Sequence, residues 1–174
     1  MKISPNSNPA RILKEERRKK VDMAGGYDEL FEIVKRVVEE ELGEHRAGLS
    51  LVLTNMPSEV GAYHPVGANI IVLNKSLIAG LEQVTRNPKQ VNSFIFMVLL
   101  HEYLHSLGYL DENEVRKTAK QICIVAFGED HPTVKLATAN WLEVFPQLQG
   151  ITPPISKDVE VVRKFDSSSM GYIG

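Results

Sequence analysis

One cysteine in 174 residues removes two kinds of site at once. Cys123 has no second cysteine to bridge to, and no cluster of thiolates can be assembled to hold zinc. Such sparing use suits a reducing compartment, so a cytoplasmic location is expected. Charge of one sign is also lacking. Twenty Lys and Arg stand against 22 Asp and Glu, a net charge of -2, so no global field draws the chain to nucleic acid or to a membrane. No apolar run reaches the ~20 residues of a membrane-spanning helix. Met1 to Ala10 is polar and contains proline, without the apolar segment of a signal peptide. No internal repeat is visible. What is present, 43% hydrophobic and 24% charged residues, is ordinary for a globular domain, and the length suits about one domain with a real core.

Punctuation by Gly, Pro and Asn divides the chain. Residues 1–26 form a basic lead-in, helix-prone from Arg11 to Val21. Arg11, Lys14, Arg17, Arg18, Lys19 and Lys20 there give the one hint of nucleic acid, though a solvated helix face accounts for them more simply. Tyr27 to Leu42 places apolar residues at helical spacing and stops at Gly43. Leu49 to Thr54 reads as a strand, and Asn55-Met56-Pro57-Ser58 as a turn. Pro65 bars a central strand, leaving Asn69 to Leu73 as the next strand. Helices are expected over Lys75–Thr85, from Pro88 to about Leu107, over Glu112–Phe127 and over Thr133–Val144. Residues 146–174 form a proline-bearing tail with a possible strand near Val159–Phe165. The fold expected is α+β: a backing helix and a small mixed sheet over one central helix, then further helices and an irregular tail. A domain over residues 27–145 would carry the chemistry.

That central helix contains His101-Glu102-Tyr103-Leu104-His105. Residues four apart share a helix face, so His101 and His105 can aim two imidazoles at one ion. Glu102 lies one step round, beside the position a bound water would take. Zinc favours such ligands and lowers the pKa of its water to about 7; an adjacent carboxylate can then take the proton and pass it on. The run Phe94 to Leu100 is apolar nearly all round, which marks a buried helix. Two histidines and a glutamate at its end are costly unless partnered.

From Tyr27 to Phe127 the chain resembles the zincin metallopeptidases. The resemblance implies hydrolysis of peptide or protein substrates with one zinc ion, His101 and His105 as ligands and Glu102 as general base and acid. It also implies an edge strand that receives extended substrate, placed in Tyr63 to Asn74 with Asn69, Ile70, Ile71 and Val72 as its core. Two forms of third ligand stay open. His101, Glu102, His105, Gly108 and Asp111 match the metzincin pattern ending in Asp, and Ser168-Ser169-Met170-Gly171-Tyr172 resembles its methionine turn at Met170. Gluzincins instead take a glutamate from a separate helix, with Glu114 the candidate and Glu112 behind it. Asp111 and Glu114 also read as a capping box. A further resemblance, to YbeY-type RNA-processing zinc proteins, rests on His105, Gly108, Tyr109 and Asp111, but Glu102 stands where that family has glycine.

Two functions follow. The first is a zinc metallopeptidase working through a metal-bound water activated by Glu102. The second is a latent or non-catalytic zinc-binding module whose tail lies in its own cleft. His64 in the edge segment can bond a substrate, although a solvated loop histidine is the plainer role. Cys123 reads as a buried structural thiol. Substrate identity and oligomeric state are not legible.

Overall fold

A computed structural model describes residues 8–150 and 158–166. Among them are seven α-helices and a mixed four-stranded sheet, the α+β class expected. Helices α1 (Pro9–Met23) and α2 (Tyr27–Leu42) precede strands β1 (Ser50–Thr54), β2 (Ala62–Tyr63) and β3 (Ile70–Asn74). Then come α3 (Lys75–Thr85), α4 (Pro88–Ser106), α5 (Glu112–Phe127), α6 (Pro132–Leu136), α7 (Trp141–Val144) and strand β4 (Val159–Val162). No helix among the described residues is long and apolar enough to cross a membrane.

Helix α4 is the axis. Asn87 accepts from the Lys89 amide and Pro88 occupies the first turn, an arrangement that needs no amide hydrogen from proline. Every residue from Phe94 to Leu100 is buried, because α1, α2, α3, α5 and α6 all pack around this helix. Phe96 meets Phe127 of α5 edge-on at 5.2 Å, and Tyr103 meets Phe31 of α2 at 5.4 Å. These contacts fix the helix that carries the histidines in both rotation and height.

The sheet order is β2-β3-β1-β4, with β1 and β3 parallel and both outer strands antiparallel. This corrects one expectation. Ile70, Ile71 and Val72 belong to β3, which lies inside the sheet: β1 pairs along its whole length, β2 covers Val72 and Leu73 on the other side, and the His64 side chain bonds the Ile70 carbonyl there. Asn69 precedes the strand and gives its carbonyl to the Ser50 amide at 2.8 Å. A continuous apolar run suits an interior strand, whereas Pro65 confines the true edge to the two residues of β2. The helix expected over Thr133–Val144 is also two short ones. Asn140 bonds the Leu142 amide at 3.0 Å, and an Asn cap starts a new helix at the expense of the old one.

The described part of the tail joins the sheet on the side away from β2. Strand β4 pairs with β1, Phe165 stacks on Phe31 at 4.2 Å, and Asp166 is buried against Lys35 of α2 at 2.7 Å. Met170 and its proposed turn lie outside the described residues.

Candidate metal centre and active site

The last turns of α4 set His101, Glu102 and His105 on the side facing the start of α5. Between the helices the chain reverses at Gly108, whose φ of +105° is strained for any residue with a side chain. The reversal returns the Tyr109 carbonyl to His105, whose Nδ1–H donates to it at 2.7 Å. That bond selects the tautomer with a bare Nε2. Asp111 then caps α5, accepting from the Glu114 amide at 2.8 Å, and Glu112 becomes the first residue of the helix.

The carboxylate of Glu112 lies between the two imidazoles. Its Oε1 is 2.8 Å from His105 Nε2, its Oε2 is 3.2 Å from His101 Nε2, and the two Nε2 atoms are 3.2 Å apart. With metal–nitrogen bonds of about 2.0–2.1 Å, ligand atoms around a tetrahedral ion lie about 3.3 Å from one another. The triangle of Glu112 Oε1 and the two Nε2 atoms, with sides of 2.8, 3.4 and 3.2 Å, is close to one face of that tetrahedron, so the three residues fit a metal. Their protonation suits it too. Burial pulls the His101 imidazole below its usual value and keeps it neutral. Burial works against the charge on Glu112, but the two imidazoles outweigh it and hold the carboxyl below the usual range. Neutral imidazole and ionised carboxylate are the forms that ligate.

Glu102 is a different kind of acid. It is 6% exposed, and its carboxyl is pushed up to about 7, mainly by burial. His105 opposes that rise, Glu112 adds to it, and the backbone amide of His64 bonds the carboxylate and opposes it again. The loop after β2 thus touches the base of the site directly.

Of the three carboxylates the sequence offers, Asp111, Glu114 and Glu112, it is Glu112 that meets the two histidines. Asp111 is spent on its cap, Glu114 is solvent-exposed, and neither joins the convergent group. Once Asp111 is a cap, the next residue opens the helix, and first-turn side chains lean back toward the helix N-terminus. That geometry favours Glu112 and was available in principle from the capping box.

Supporting bonds hold the frame. Arg46 donates to the Ser106 carbonyl at 2.6 Å, to the Ala68 carbonyl at 3.0 Å and to Asn69 Oδ1 at 2.7 Å, tying the end of α4 to the loop before β3. Tyr109 donates its hydroxyl to Glu44 at 2.7 Å, which engages it away from any substrate. His64 Nδ1 bonds the Ile70 carbonyl at 2.9 Å. On α1, Arg17 pairs with Glu40 and Arg18 with Asp130 and the Phe127 carbonyl, so part of the basic segment is used to dock that helix. A surface groove of about 560 Å³ between α1 and α2 contains none of His101, Glu102, His105 and Glu112.

A buried central helix that brings two imidazoles and a neighbouring helix's carboxylate to one point, with a second carboxyl alongside, is a donor set able to hold a metal ion. The comparison with known families narrows this. The model of the family described as metallopeptidase toxin 3 matches residues 10–130, and the chain belongs to that family. The match spans α1 through α5 and includes the whole convergent cluster. No curated protein and no solved structure matched the chain.

Proposed function

We propose that the chain is a zinc-dependent peptidase of the zincin type, acting on a peptide or protein substrate in the cytoplasm. His101, His105 and Glu112 would hold the ion, and Glu102 is the general base and acid. The glutamate comes from the helix after the motif, as in gluzincins, with Glu112 in place of the expected Glu114. A bound zinc would acidify a water to about pKa 7 and polarise the scissile carbonyl. The chain supplies the rest. Glu102 takes a proton from the attacking water and delivers it to the departing amine. Its burial tunes the carboxyl toward neutrality, where it can perform both transfers. The Tyr109 carbonyl keeps His105 in the ligating tautomer. The unpaired side of β2 offers the only open sheet edge near α4 among the described residues.

The observation that carries this reading is the convergence of His101, His105 and Glu112 next to a nearly inaccessible Glu102. In the test, wild type and Glu102→Gln are compared for zinc content and for hydrolysis of fluorescein-labelled casein. The variant should retain zinc while turnover falls about 10²–10⁴-fold. Undiminished turnover would exclude Glu102 as the base. A self-occluded module is the weaker reading, since residues 158–166 pack on the sheet edge opposite β2.

A further inference from the structure

Beside the cluster is a pocket of about 60 Å³ whose walls include His101 and Glu102 themselves. Its inner wall is Phe94, Met97 and Val98 of α4, lying seven, four and three residues before His101 and therefore on its face of the helix. Its outer wall is Leu136, Ala139 and Trp141. Only Arg116, half-exposed, adds a charge besides Glu102. The pocket is small and its walls are mainly aliphatic and aromatic carbon, which suits a Leu, Ile, Met or Val side chain better than a charged one or a large ring.

The outer wall is built, not incidental. Trp141 donates its indole N–H to the Ser58 carbonyl at 3.1 Å and meets Phe94 edge-on at 6.0 Å. Gly61 lets the indole approach, for a Cβ there would be 3.2 Å from the ring and 3.4 Å from Val98. The loop carrying Ser58 is pinned by Asn74, whose side-chain amide donates to the carbonyls of Met56, Pro57 and Val60. Leu136, Ala139 and Trp141 all lie beyond residues 10–130, the part matched by the family model.

Resting on the peptidase reading, we infer that this pocket is the substrate side-chain pocket, that it selects medium-sized aliphatic residues, and that its selectivity is set by residues 132–141 outside the family-matched region. An extended peptide along β2, which contributes Ala62 to the same pocket, would place one side chain in it and its scissile bond beside Glu102.

Trp141 is the only tryptophan, so its emission reports occupancy directly. The zinc-loaded full chain is titrated with N-acetyl-leucinamide, N-acetyl-phenylalaninamide and N-acetyl-aspartamide, and in parallel incubated with a peptide library varied next to the cleaved bond. The leucine probe should shift the emission saturably, with the other two weaker by about tenfold or more, the usual scale for size discrimination in an apolar pocket. Ala139→Leu, on an irregular segment, should abolish the leucine response with zinc content unaltered, and Leu136→Ala should admit the phenylalanine probe. Equal responses to the three probes, no response, or indifference to Ala139→Leu would overturn the pocket. A leucine response without any peptide hydrolysis would overturn the peptidase reading and leave the pocket standing. Hydrolysis without aliphatic preference would do the reverse.

Discussion

Replacing Asp166 by Ala should destabilise the domain as much as the loss of a large core side chain. Asp166 is almost fully buried. One oxygen takes Lys35 Nζ at 2.7 Å, and the other takes the amides of Gly48 at 2.9 Å and Leu49 at 3.3 Å. Burial opposes the charge on Lys35, yet the carboxylates of Asp166 and Glu32 outweigh it and raise its pKa. Removing one partner of a buried ion pair costs about 3–5 kcal/mol. Glu32 stays within 2.6 Å of Lys35 and is half-exposed, which lowers that figure, while the buried Leu49 amide loses an acceptor at about 1–3 kcal/mol. The Gly48 amide can turn to water, since that residue is exposed. The net expectation is about 4 kcal/mol, or a urea midpoint lower by about 2 M for an m-value of about 2 kcal/mol/M. Asp166→Asn keeps an acceptor for both amides and should lose about half as much. Equilibrium urea unfolding followed by circular dichroism gives both numbers. A loss below about 1 kcal/mol for Asp166→Ala would refute the view that this residue latches the last strand to α2.

Two further outcomes follow from single residues. His131 is buried against Phe127, its Nδ1 caps α6, and burial, reinforced by Arg18, pulls its imidazole down to about 4. The unfolded chain, titrating near 6.5, binds the extra proton first, so this stabilisation is complete above about pH 6.5 and is lost as pH falls toward 4, up to about 3 kcal/mol; urea midpoints in His131→Asn should fall less steeply over that interval than in wild type. Gly108→Ala places a side chain at φ +105° with no neighbouring atom in its way, so backbone strain alone, about 1–2 kcal/mol, should lower Tm by roughly 3–6 °C, and an unchanged Tm in calorimetry would contradict the strain.

The parts of this molecule legible in its sequence were those written in local chemistry. The apolar girdle from Phe94 to Leu100 marked α4 because only burial on all sides accommodates it, and Asn87-Pro88, Gly43 and Asp111 marked helix ends through their capping chemistry. The sheet's order was not legible. A five-residue apolar strand does not state its neighbours: β3 is interior because β1 and the two residues of β2 flank it, and β1 because residues far down the chain, Val159–Val162, closed its other side. Asn140 broke a helix that apolar spacing alone would have continued. At the site, His101 and His105 followed from helical periodicity, and their convergence on a carboxylate followed from the motif. Which carboxylate it is depends on how a three-residue reversal at Gly108 orients α5, a tertiary angle that spacing does not encode. The pocket wall at Trp141 likewise rests on a contact with Ser58, 83 residues away.

The central claim is that Glu112, not Asp111 or Glu114, completes a metal site with His101 and His105. Zinc content of the purified full chain, by elemental analysis after zinc loading and desalting, tests it most directly, on wild type, Glu112→Ala, Asp111→Ala and Glu114→Ala. The account predicts one zinc per chain in wild type, loss in Glu112→Ala, and retention in both other variants, with Asp111→Ala less stable by about 1 kcal/mol for its lost cap. Zinc lost in Asp111→Ala or Glu114→Ala while Glu112→Ala keeps it, or no zinc in wild type, would contradict it.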